Sequence, residues 1–127
     1  HWSRTFRVGR CRDGRVLHCA LGDWTSLLEW LKSEGAAQDL DRPEWEEFAW
    51  RKEHCEHLFD VLDAWAARQR VADLVEGAQL RRLPYAAVRS LAELARDPQL
   101  AARGFFVAAE HPELGRLRCP GAPYLLS

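Results

Sequence analysis

The sequence predicts an α+β fold: a small antiparallel sheet made from N- and C-terminal hairpins, packed with about four to five helices. Two features predict it. Segments with strand-like patterning and turn residues stand near both ends, and the stretch between them carries apolar residues at three- and four-residue steps. Length is a third guide, because 127 residues fit one domain, 1–127. A chain of that size hides roughly two-thirds of its unfolded surface, enough to form a core without a staple or metal.

Residues 5–21 read as the first hairpin. Thr5-Phe6-Arg7-Val8 leads in, Asp13-Gly14 supplies the positive φ angles of a tight turn, and Val16-Leu17-His18-Cys19-Ala20-Leu21 leads out. Leu17, Cys19 and Leu21 share one face of that second strand. Asp23 then caps a helix over 24–33, since a short carboxylate accepts the orphan amide protons of a first turn. Trp24, Leu27, Leu28 and Leu31 make its inward stripe, and Gly35 closes it. Asp41-Arg42-Pro43 opens the next helix, with Asp as cap and Pro in the first turn. From Trp45, the residues Phe48, Ala49, Cys55, Leu58, Phe59, Leu62, Trp65 and Ala66 predict one long amphipathic helix to about Ala67.

A shorter helix over 71–80 turns Leu74, Val75 and Ala78 inward and is stopped by Pro84; Tyr85-Ala86-Ala87-Val88 suits a strand or an extended link. Ser90 caps 91–95 with Glu93 as capping-box partner, and Asp97-Pro98 starts a further helical turn that Gly104 ends. Residues 105–110 and 116–119 form the second hairpin around His111-Pro112-Glu113-Leu114-Gly115.

Basic and acidic residues number 18 and 19 and are interspersed, so no field gathers nucleic acid or anionic lipid. Apolar runs fall far short of the roughly 20 residues that cross a bilayer, and no charged and apolar leader opens the chain. A soluble, cytoplasmic protein with no nucleic-acid or membrane partner is expected. Six Trp in so short a chain place several in a core or against a partner. Cys11, Cys19, Cys55 and Cys119 are scattered and read as reduced core thiols.

The densest group of metal-ligand types is His54-Cys55-x-His57 with Cys11, His18 and Cys19. Structural zinc sites use closely spaced cysteine pairs, which this set lacks, so Cys55 is expected in the core with His54 and His57 flanking it, and no metal. Nothing sets a base beside any cysteine to make a nucleophile. Glu44, Glu46 and Glu47 with Arg51 and Lys52 read as a solvated helix face rather than an acid pair. Arg4, Arg7, Arg10, Arg12 and Arg15 form a basic hairpin edge, read as edge protection in preference to a phosphate contact. No catalytic residue is nominated, and cofactor-binding residues are unknown.

The stretch from Pro84 through Tyr85, Ser90-Leu91-Ala92-Glu93-Leu94, Asp97-Pro98, Arg103-Gly104-Phe105-Phe106 to Val107 resembles the late part of family III CoA-transferases. This group includes formyl-CoA transferase, carnitine CoA-transferase and α-methylacyl-CoA racemase. His111-Pro112-Glu113-Leu114-Gly115-Arg116 and Pro120-Gly121-Ala122-Pro123-Tyr124 resemble the family's ending, in the right order and gap. Asp13-Gly14, Trp24 and Arg51 agree more loosely.

The resemblance implies the small domain of a two-domain enzyme. Its large Rossmann-like domain would hold coenzyme A and an aspartate nucleophile that forms anhydride and thioester intermediates, and two protomers would interlock as a homodimer. The small domain would pack over the active site, against the large domains of both protomers. No aspartate here matches the nucleophile, so the chain is expected to bind no cofactor and to be inactive alone, with a coenzyme A thioester as the parent's substrate. The start at His1 and the stop after a Pro-Gly-Ala-Pro turn read as cuts through a longer protein. The alternatives are a non-catalytic subunit that completes a site on a separate aspartate-bearing chain, and a racemase parent.

Overall fold

In the first hairpin, β1 (Phe6–Arg10) and β2 (Arg15–Cys19) run antiparallel in the register Phe6↔Cys19 to Arg10↔Arg15. The computed structural model describes residues 5–20 and 22–122. Two compact units divide the chain, one ending at Val88 and the other beginning at Arg89.

The hairpin falls where the turn residues place it, but its tip differs. Neither Asp13 nor Gly14 takes a positive φ. Residues 11–14 make a longer loop closed by the Cys11 N–H on the Gly14 carbonyl at 2.9 Å, and such a loop does not require the left-handed residues of a two-residue turn. Along β2, Cys19 is buried, as are residues of the opposite face. Val16 and His18 are fully buried and Leu17 is half-buried, while Leu21 lies outside the described residues. The third strand of this sheet is β3 (Ala86–Val88), antiparallel to β2 through Leu17↔Ala86 to Arg15↔Val88. The order is β1-β2-β3, so β1 is an edge.

Helix α1 (Trp24–Ser33) begins as predicted, with the Asp23 carboxylate accepting from the Ser26 amide and hydroxyl. It ends in a Schellman turn. Gly35, at φ 64°, donates to the Lys32 carbonyl and Ala36 donates to Leu31.

The long helix expected from Trp45 is instead three pieces: a 3-10 turn (Pro43–Glu46), α2 (Phe48–Glu53) and α3 (Cys55–Ala66). The 3-10 turn starts at Arg42 without a side-chain cap, so Asp41 is not its cap. Glu47 is extended at ψ 122° and His54 opens to ψ 25°. Arg51 fills the first break, its guanidinium donating to the Trp45 and Glu46 carbonyls at 2.5 and 2.8 Å. Packing is the physical reason for the break. Trp45 turns into the core while Phe48 and Trp50 stay open to solvent, so no single face serves all three pieces.

Helix α4 (Val71–Leu80) buries Leu74 and Ala78 as predicted. Its end is set before Pro84 by a second Schellman turn, in which Arg82 at φ 58° donates to Gln79 and Leu83 donates to Ala78. The core joins α1, α3 and α4 to the sheet through Leu31, Leu58, Phe59, Leu62, Trp65 and Leu74. Each such side chain contributes about 1.5–3 kcal/mol by leaving water. Trp24, Trp30, Trp45 and Trp65 are buried and Trp50 is exposed; Trp2 lies outside the described residues.

In the second unit, α5 (Leu91–Leu94) carries a complete capping box: Ser90 Oγ accepts from the Glu93 amide and Glu93 accepts from the Ser90 amide at 2.7 Å. Helix α6 (Pro98–Ala102) is capped by Asp97, whose carboxylate also pairs with Arg89. Gly104, at φ 62°, closes α6. Strands β4 (Phe106–His111) and β5 (Gly115–Pro120) then form the predicted hairpin, which makes a sheet of its own. His111 Nδ1 accepts from the Glu113 and Leu114 amides at 3.2 Å and ties the turn. No described residue from Arg89 onward is fully buried. The class is α+β, with small antiparallel sheets and six α-helices among the described residues.

Candidate functional site

Residue by residue, the structure disperses the groups that the sequence places near one another. His57 Nε2 meets Asp39 Oδ1 at 2.7 Å on a half-exposed surface, and its ring stacks on Trp45 at 5.7 Å. That hydrogen bond holds the Asp39 carboxyl below its ordinary range. His54 instead stacks on Trp50 at 3.8 Å, with Nδ1 3.0 Å from the Trp50 carbonyl. Cys55 is buried, as the burial habit of cysteine leads one to expect. Cys19 is buried in β2, and Cys11 and Cys119 are half-buried; none of the four is in a disulfide. Burial pushes the Cys11 thiol up, with the charge of Asp13 adding to it, the opposite of what an attacking thiolate needs. Among the described residues, no three His, Cys, Asp or Glu side chains come together in a way that could hold a metal ion.

The acidic turn is likewise structural. Arg51 lies over the Trp24 ring at 4.8 Å and the Phe48 ring at 5.8 Å, which locks the elbow between the 3-10 turn and α2. The basic hairpin edge divides. Arg10, Arg12 and Arg15 face solvent, and Arg4 lies outside the described residues. Arg7 is committed elsewhere: it pairs with Glu56, Asp60 at 2.9 Å and Asp63 at 3.2 Å, all on α3, and lies over Phe59 at 4.9 Å. Burial alone would lower its pKa, but the Asp60 and Asp63 hydrogen bonds and the Glu56 charge raise it.

Beside Arg7 lies His18, which the sequence offers only among possible metal ligands and whose burial against Asp63 it does not foretell. His18 is completely buried, with Nε2 3.0 Å from Asp63 Oδ1 but outside hydrogen-bonding alignment, and with no partner for Nδ1. Its ring packs 5.6 Å from Phe59 and 6.0 Å from Tyr85, whose hydroxyl is also buried without a partner. Alternation along β2 held the available signal, since His18 shares a face with Val16. Desolvation, reinforced by the charge of Arg7, pushes the imidazole below its ordinary value, against the pull of Asp63. The cluster joins strand to helix, and its imidazole has no access to a substrate.

No helix among the described residues is long and apolar enough to cross a membrane. The family model for CoA-transferase family III matches residues 2–127. A formyl-CoA:oxalate CoA-transferase from Streptomyces avermitilis is 27% identical over 104 residues, covering 82% of this chain and 25% of that protein. Its counterpart from Rhodopseudomonas palustris is 28% identical over 131 residues, covering 94% of this chain and 31% of that protein. The chain thus spans between a quarter and a third of these relatives. Rv3272 from Mycobacterium tuberculosis, in its orthorhombic form, superposes with a TM-score of 0.66 at 14% identity, covering 94% of this chain and 33% of that one. A mutant of Rv3272 gives a TM-score of 0.64 at 13% identity, with the same coverage. That likeness carries the fold, and the match of the family model over nearly every residue carries the membership: the chain belongs to CoA-transferase family III.

Proposed function

We propose that this chain is the small domain of an enzyme that transfers coenzyme A between carboxylic acids, shaping the acyl side of the site and the interlock of a homodimer. The large Rossmann-like domains of both protomers are its partners and supply the nucleophilic aspartate. The substrate is a coenzyme A thioester of a small acid, formyl-CoA with oxalate as acceptor being the pair that the relatives' names support.

One observation carries this reading. A chain that spans 25% and 31% of its relatives leaves large apolar side chains open on both units. In the first unit Phe6, Val8 and Val88 stand on the face of the sheet away from α3; in the second, Leu91 is 85% and Leu114 67% exposed. Apolar groups that share one open sheet face support the reading that other protein covers it. The chemistry of the described residues agrees, because the buried imidazole of His18 and the charged cluster beside it serve packing.

The test is a pair of measurements. The purified chain, given formyl-CoA and oxalate, transfers no coenzyme A. A chimera in which residues 2–127 replace the matching segment of the Streptomyces relative folds, dimerises and transfers it. Turnover by the isolated chain, or a folded chimera that neither dimerises nor transfers, overturns the proposal.

A further inference from the structure

The geometry points to His18 as an acid-sensitive clasp that holds the β1–β2 hairpin on α3 while its imidazole is neutral and releases it on protonation. Arg7 and His18 are cross-strand partners on β1 and β2, and both turn to the same carboxylate. Asp63 Oδ2 takes Arg7 at 3.2 Å and Asp63 Oδ1 lies 3.0 Å from His18 Nε2. The charged and titratable groups set around the imidazole are Arg7 from β1, Asp63 from α3, with Asp60 and Glu56 engaged on Arg7, and Tyr85 just before β3; Cys19 follows it in β2.

There is no slack in which a second charge could be solvated. A Cβ at Gly9 would stand 2.6 Å from Asp63 Oδ1 and 2.9 Å from His18 Cε1, so only glycine lets the strand lie this close. Neither ring nitrogen has an aligned hydrogen-bond partner, so the neutral ring leaves one N–H unmet, whereas a charged ring presents a second at Nδ1, where no acceptor waits. It also places a second cation beside Arg7 on a carboxylate that Arg7 already occupies.

The sign follows by linkage. The folded pKa of His18 lies below the ordinary value of about 6.5 that the unfolded chain regains. The stabilisation is therefore complete above about pH 6.5 and is lost as pH falls from there toward the folded value. Over that window the unfolding constant rises up to about tenfold per pH unit.

Imidazole proton shifts of the full chain, followed by NMR from pH 8 to 5, test the clasp. The resonance with cross-peaks to the Phe59 and Tyr85 rings identifies His18 without a variant. It is expected not to titrate near 6.5 in buffer and to do so in urea. Urea unfolding across the same range should show the steepening, and His18→Gln, where it folds, should remove it. A His18 resonance that titrates at or above 6.5 in the folded chain, with stability level or rising as pH falls, means a charged His18–Asp63 pair and overturns the clasp.

Discussion

Gly77→Ala is a substitution that helix propensity says should stabilise and that packing says should not. Gly77 lies inside α4, where alanine is favoured over glycine by about 0.8–1 kcal/mol. A Cβ built there stands 2.6 Å from Trp30 Cζ2 and 2.9 Å from Cη2. Carbon atoms rest at about 3.5–4.0 Å, so the indole would have to retreat by roughly 1 Å. It has nowhere to go. Trp30 meets Trp65 edge-on at 4.7 Å, donates Nε1–H to Glu34 at 2.6 Å and carries the Arg81 guanidinium 4.5 Å from its ring centre. Overpacking of this kind costs typically about 1–3 kcal/mol, which, set against the propensity gain, leaves a net loss of up to about 2 kcal/mol. Thermal unfolding followed by tryptophan fluorescence reads this as a fall in Tm of roughly 4 °C per kcal/mol. Gly77→Ala combined with Trp30→Phe, which removes the clashing atoms, should recover part of the loss beyond additivity. A Gly77→Ala chain as stable as the parent, or more so, would refute the argument that Trp30 is fixed.

Glu34 accepts from the indole N–H groups of Trp30 and Trp65 and from Gln69, at 2.6–2.7 Å. Glu34→Ala strands both indoles and should cost about 2–3 kcal/mol in urea unfolding, with Glu34→Gln costing less because it keeps one acceptor. Arg82, exposed and left-handed at φ 58°, has no need of its side chain, so Arg82→Gly should raise stability by about 1 kcal/mol by calorimetry. Asp13 Oδ1 accepts the Val71 amide at 2.8 Å, and this hydrogen bond, with Arg70 beside it, holds the carboxyl below its ordinary range. A depressed carboxylate pKa adds stability above the unfolded value of about 3.9, and that stability disappears as pH falls through the folded one. Asp13→Asn should therefore flatten the acid limb of the stability profile between pH 5 and 2.

Much of the fold is legible because its signals are local. Asp23, Ser90 with Glu93, and Asp97 cap the helices they precede, and Gly35 and Gly104 take the left-handed φ that ends α1 and α6. Each of these acts within one helical turn, so neighbouring residues suffice to predict it. The long helix from Trp45 failed for the complementary reason. Its apolar residues keep helical spacing, but Trp45 and Phe48 are claimed by different environments, core and solvent, and spacing alone does not reveal which.

The candidate chemistry divides along the same line. Residues 84–124 resemble the family closely enough to name it from sequence, and composition rightly cast Cys55 as a core thiol. That Arg7 is spent on α3, that His18 is sealed against Asp63, and that Asp13 reaches 58 residues along the chain to start α4 were decided only by the tertiary structure. Short-range rules govern backbone conformation through steric fit and hydrogen bonds a few residues apart. The state of a charged or titratable side chain depends instead on which distant groups share its buried surroundings, and folding alone brings those together.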